Sequence, residues 1–107
     1  MTVKICAASD LESGAAIRVV IDGNPIALVR DSAGEVHAIG DTCTHGDISL
    51  AEGFVEDDTI ECWAHGSRFS LETGKPITLP DYEHVPVFAV SIVEGDVYID
   101  PTPTFVS

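Results

Sequence analysis

Two short segments of the chain carry residue types suited to holding metal. The first is Cys43-Thr44-His45-Gly46 and the second is Cys62-Trp63-Ala64-His65-Gly66. Each offers one soft thiolate and one borderline imidazole, so together they supply two sulfurs and two nitrogens. A two-iron, two-sulfide cluster uses this asymmetry when two Cys hold one iron and two His replace Cys on the other. A tetrahedral zinc site also accepts two Cys and two His. Zinc modules usually group the two Cys together and the two His together. Here the ligand types alternate, which suits two metals better than one.

Cys-x-His-Gly, then a fifteen-residue spacer, then Cys-x-x-His-Gly-Ser-x-Phe resembles the Rieske family. The likeness runs on through Thr73-Gly74-Lys75-Pro76 and Leu79-Pro80 to the closing strands. Over nearly the whole chain it is similar to the small Rieske ferredoxins of bacterial ring-hydroxylating dioxygenase systems. The resemblance implies one [2Fe-2S] cluster, with Cys43 and Cys62 on the inner iron and His45 and His65 on the outer. Replacing two anionic thiolates with neutral rings makes the cluster less negative and raises its potential above that of a four-Cys ferredoxin.

Around these ligands, Gly46 and Gly66 each follow a His, where the absence of a Cβ permits close approach of backbone N–H groups to cluster sulfur. Ser67 offers a hydroxyl that can donate to a sulfide, or else is a plain surface serine. Pro80, with Leu79, matches the loop that shields the cluster in the family, and Trp63 lies between ligands as a possible cover. High-potential relatives carry two further Cys and a Tyr. This chain has Ile48, Ala64 and Phe69 at those positions, which implies a potential low in the Rieske range. His37 and His84 fit no ligand spacing and read as ordinary strand or loop residues. Cys6 reads as a small apolar packing residue.

The elements that must position these residues read as strands. Ser9-Asp10-Leu11-Glu12 has capping-box spacing for one helical turn, which Ser13-Gly14 ends. Strands follow from Ala16 to Ile39, broken by turns at Asp22-Gly23-Asn24-Pro25 and Asp31-Ser32-Ala33-Gly34. Ile48 to Gly53 is an irregular connection anchored by Leu50. Phe54-Val55 and Thr59-Ile60-Glu61 form a hairpin around Asp57-Asp58, and Ser67 to Leu71 returns as a strand. Glu72 to Lys75 turns, and Ile77 to Pro80 makes a third loop. Val87 to Val93 and Val97 to Ile99 close the sheet, leaving residues 101–107 as a loose tail. The expected fold is all-β: a small antiparallel sandwich or barrel in one domain, residues 1–107, with cluster loops at about 41–48 and 60–69 at one tip.

Composition narrows the function. Eighteen Asp and Glu against five Lys and Arg leave a formal charge of −13. This excludes general affinity for nucleic acid or anionic membrane and calls for partners that are basic where they touch. No apolar run approaches a membrane span. The start, Met1 to Cys6, lacks a secretory pattern, so the cytoplasm is the expected location. The reading is a monomeric one-electron carrier, not an enzyme. It takes electrons from a flavin-containing reductase and gives them to a terminal non-haem iron oxygenase. Service to iron-sulfur assembly, or a zinc-stapled interaction module without redox chemistry, are the alternatives.

Overall fold

The computed structural model describes residues 2–42, 48–63, 68–77 and 85–104. Among these residues ten strands appear in chain order: β1 (Val3–Ala7), β2 (Ala16–Ile21), β3 (Asn24–Arg30), β4 (Val36–Gly40), β5 (Phe54–Glu56), β6 (Thr59–Glu61), β7 (Arg68–Ser70), β8 (Val87–Phe88), β9 (Val90–Val93) and β10 (Asp96–Ile99). They form three antiparallel sheets, in the orders β1-β10-β9, β2-β3-β4-β8 and β5-β6-β7. The only helical elements among the described residues are two 3-10 turns, Ala8–Asp10 and Leu50–Glu52.

The four-stranded sheet is the middle layer, and the sequence of β3 shows why. Ile26, Ala27, Leu28 and Val29 form an unbroken apolar run, and all four are fully buried. Side chains alternate across a strand, so Ile26 and Leu28 enter one core with Val97 and Ile99, while Ala27 and Val29 enter another with Leu50, Ile60 and Phe69. The β1-β10-β9 sheet therefore covers one face and the β5-β6-β7 sheet, with the Leu50 turn, covers the other. Burying each Leu or Ile side chain contributes about 1.5–3 kcal/mol. The hairpin turns are matched to their strands: Asp22-Gly23 and Glu94-Gly95 both have positive φ at each central position, the backbone twist that two-residue hairpins favour.

Three expectations need correction. The helical turn begins at Ala8, not at Ser9, and no side chain caps its N-terminus. It is held instead from the far side, where Arg30 Nη1 donates to the carbonyls of Ala8 and Leu11 at 2.9 Å each. The run from Val87 to Val93 is two strands, because β8 pairs with β4 while β9 pairs with β10. The chain changes sheets at Ala89, whose carbonyl accepts from Asp100 N–H. Finally, the segment after Pro101 is not loose throughout. Val87 and Thr104 exchange both backbone hydrogen bonds, at 2.8 and 2.9 Å, which adds an edge to the middle sheet.

Candidate metal centre

The first ligand segment leaves the middle sheet at the end of β4 and returns at Ser49, and its two ends are tied together. Thr42 and Ser49 form an antiparallel bridge. Beside them Asp41 is almost wholly buried. Its Oδ2 accepts from Ser49 Oγ at 2.6 Å and from Arg18 Nε at 3.2 Å, and its Oδ1 accepts from Ala51 N–H at 2.9 Å. Its backbone carbonyl accepts from Leu50 N–H, and its own N–H donates to the Pro25 carbonyl. A buried carboxylate is costly unless its lone pairs are used; here they fasten the exit of the loop to its entry.

The second segment leaves β6 and returns in β7. Ile60 faces the core, Glu61 faces outward, and the alternation continues one residue further on each side: Cys62 is fully buried among Leu50, Ile60 and Phe69, while Trp63 is exposed. The ends of this segment are tied as well, through the Glu61–Arg68 strand pair and an ion pair between Arg68 Nε and Glu61 Oε1 at 3.2 Å. Gly53 locks the two segments to each other. A Cβ at that position would overlap the Glu61 carbonyl oxygen, so only glycine lets the Leu50 turn lie against the end of β6. The third segment starts at Ile77, whose N–H donates to the Arg68 carbonyl at 2.7 Å, and ends at Val85, whose N–H donates to the Gly74 carbonyl at 2.9 Å. Gly74 has positive φ, and a Cβ there would overlap the Val85 carbonyl.

Of the residues singled out from sequence, Cys62 and Trp63 lie within the described residues, as do Ile48 and Phe69. Ile48 is half-buried against the core that holds Cys62, and Phe69 is fully buried opposite Ile60. Cys43, His45, Gly46, Ala64, His65, Gly66, Ser67, Leu79, Pro80 and His84 lie outside the described residues. What is described fits a sulfur-ligated cluster: a buried Cys at the end of a strand, in an apolar setting, with the first ligand segment rooted against the same strand end.

Sequence reasoning missed two carboxylates. The acid Asp41, closing a strand of apolar and small residues, was the available signal for the first. The second is Asp31, whose Oδ1 accepts from the N–H groups of Ala33 and Glu35 and whose Oδ2 lies 2.8 Å from His37 Nε2. Burial pushes the Asp31 carboxyl up, but the hydrogen bond from His37, the Glu35 and Ala33 N–H groups and the His37 charge outweigh it and hold it below the usual carboxylate range. Asp31, Glu35 and His37 form a metal-type cluster, yet Asp31 Oδ1 is spent on clasping the 31–35 turn and Oδ2 on His37. His37 is thus a structural residue of β4. Cys6 is half-buried in β1, and burial, then Asp10 and Asp96, raise its thiol pKa, in keeping with a packing role.

Comparison with known proteins agrees with this geometry. Residues 1–89 match the family model described as Rieske [2Fe-2S] domain. The chain is 40% identical over 96 residues to the 3-phenylpropionate/cinnamic acid dioxygenase ferredoxin subunit of Escherichia coli (strain K12), covering 89% of each chain. Among solved structures it is similar to the ferredoxin of carbazole 1,9a-dioxygenase from Nocardioides aromaticivorans IC177, with a TM-score of 0.90 and 28% identity over 95% of this chain and 99% of that one. It is also similar to a chain in a complex of reduced oxygenase and oxidized ferredoxin in carbazole 1,9a-dioxygenase, with a TM-score of 0.85 and 41% identity over 92% of this chain and 100% of that one.

Proposed function

The chain belongs to the family of Rieske [2Fe-2S] domains, and from that premise we propose that Cys43, His45, Cys62 and His65 hold its one cluster and that it carries single electrons from a flavin-containing reductase to a terminal non-haem iron oxygenase. The bound cluster supplies reversible one-electron chemistry at a potential set by its ligands and their surroundings. The chain's own residues do the rest. Cys62 offers a thiolate from a dry, packed strand end. Asp41, Ser49 and Gly53 hold the first ligand segment against the strand that leads into Cys62. Gly46, Gly66, Ser67 and Pro80 are assigned to shielding and hydrogen bonding around the sulfides.

The observation that carries this reading is the buried Cys62 at the end of β6, with the first ligand segment rooted beside it by Asp41. The oxygenase as customer is supported by the relatives, which are ferredoxin components of dioxygenase systems, and by the solved complex of an oxygenase with a ferredoxin in carbazole 1,9a-dioxygenase. In this reading the protein is a carrier and the substrate belongs to its partner. It acts as a monomer in the cytoplasm; no helix among the described residues is long and apolar enough to cross a membrane.

Anaerobic reconstitution tests the proposal. A flavin reductase and an oxygenase from the same organism are expected to exchange electrons only when the cluster-loaded protein is added. With a charge of −13, transfer should slow as salt rises, because attraction to basic docks is screened over about 10 Å at 0.1 M ionic strength. Reduction of the protein by the reductase, with no transfer onward to any oxygenase, would overturn the assignment of the partner.

A further inference from the structure

The outward face of the β5-β6-β7 sheet carries an ordered row of side chains. Phe54 pairs with Glu61, and Glu61 with Arg68. The pairing continues past β7, where Phe69 bridges Pro76 and Ile77 N–H donates to the Arg68 carbonyl. Directly opposed residues in an antiparallel sheet share a face, so Phe54, Glu61, Arg68 and Ile77 line up across it. Trp63, two residues past Glu61 and just beyond the strand, continues the alternation in burial, exposed where Cys62 is buried. The inward row, Val55, Ile60 and Phe69, is core. The outward row is open: Phe54 is 62% exposed, Ile77 55% and Trp63 53%.

Three large apolar side chains held at an open sheet face exceed the scattered singles expected of a soluble surface, and aromatic groups of this kind anchor interfaces. The charge of the face is net negative. Glu56 and Glu61 both reach the same Arg68, at 3.6 and 3.2 Å. Residues 50–63 hold five carboxylates, at Glu52, Glu56, Asp57, Asp58 and Glu61, and no Lys or Arg. The complementary surface is an apolar recess with a basic rim. Trp63 follows Cys62 directly, so an occupant of this face lies beside the metal centre.

We propose that the face formed by Phe54, Trp63 and Ile77 around the Glu61–Arg68 pair is the surface on which the terminal oxygenase docks. This rests on the carrier reading given above. Charge steers any basic partner to an acidic protein, but screened charges hold it briefly. Desolvated aromatic contact slows dissociation, and a complex that forms at so exposed a surface draws its lifetime from such contact.

The test uses the cluster-loaded full chain and the oxygenase that the wild-type protein reduces in reconstitution. The double variant Phe54→Ser/Ile77→Ser is compared with Ile92→Ser/Val93→Ser, which alters residues equally exposed on β9. Binding is measured by calorimetry, alongside the visible spectrum and the midpoint potential. The first variant is expected to weaken oxygenase binding at least tenfold while spectrum and potential hold, and the second to bind within twofold of wild type. Unchanged affinity in the first variant, or a loss confined to the reductase, would overturn the docking surface and leave the carrier function standing. A wild-type protein that carries its cluster but neither binds nor reduces an oxygenase would overturn both.

Discussion

Ser49 donates its hydroxyl to the buried Asp41 carboxylate at 2.6 Å, across the base of the segment that carries Cys43 and His45. The same carboxylate takes Ala51 N–H on its other oxygen. Asp41→Ala would leave these two donors and the Arg18 guanidinium without their acceptor in a partly buried site, at a cost of about 2–4 kcal/mol. The expected outcome is a lower urea midpoint and faster loss of visible absorbance in air. Ser49→Ala removes one bond only and should cost about 1 kcal/mol. Chemical denaturation of the three proteins measures the order.

Gly53 makes a separate prediction, because the obstacle there is backbone and cannot rotate away. Gly53→Ala drives a methyl into the Glu61 carbonyl, forcing the Leu50 turn away from β6. A destabilisation of about 1–3 kcal/mol is expected, with faster cluster loss. Gly23→Ala provides the comparison, since a Cβ there meets nothing within 4 Å and only the positive φ is strained.

Asp31 links stability to pH. Its carboxyl is held below the usual value by His37, Glu35 and Ala33, so the folded state binds its proton more weakly than the unfolded state does. The resulting stability is fully present above the unfolded carboxylate pKa of about 3.9 and is lost as pH falls through the folded value. Asp31→Asn should therefore cost about 2 kcal/mol at neutral pH. The gap to wild type should narrow below about pH 4, as followed by denaturation with backbone circular dichroism as the signal.

The midpoint potential is expected to be negative, in the lower part of a Rieske range of about −150 to +300 mV. Ile48 and Ala64 stand where high-potential relatives place a bridging pair of Cys, and Phe69 stands in place of their Tyr. Phe69 is fully buried on the same strand pair that leads to Cys62. Phe69→Tyr should raise the potential if its new hydroxyl reaches a ligand sulfur. Voltammetry at neutral pH reads both values; a wild-type midpoint above about +100 mV would contradict the account.

The family was legible because residue type and local spacing carry its motif. The apolar run Ile26 to Val29 was legible as a strand. Its burial on both faces was not, since that depends on two sheets built from distant segments. The role of Asp41 was hidden because its partners return eight and ten residues later. The break at Ala89 was hidden because the apolar pattern of residues 87–93 runs through it, and only the choice of pairing partner, β4 or β10, divides the strand. The hold on Thr104 likewise depends on an exposed edge at Val87 that no local pattern announces.

Electron paramagnetic resonance of the dithionite-reduced protein, purified without oxygen and assayed for metal, tests the central claim most directly. The account predicts about two irons per chain, a red-brown oxidised form and a rhombic signal on reduction. His45→Ala and His65→Ala should lose this signal, and His37→Ala should keep it. A colourless protein with stoichiometric zinc and no signal would contradict it.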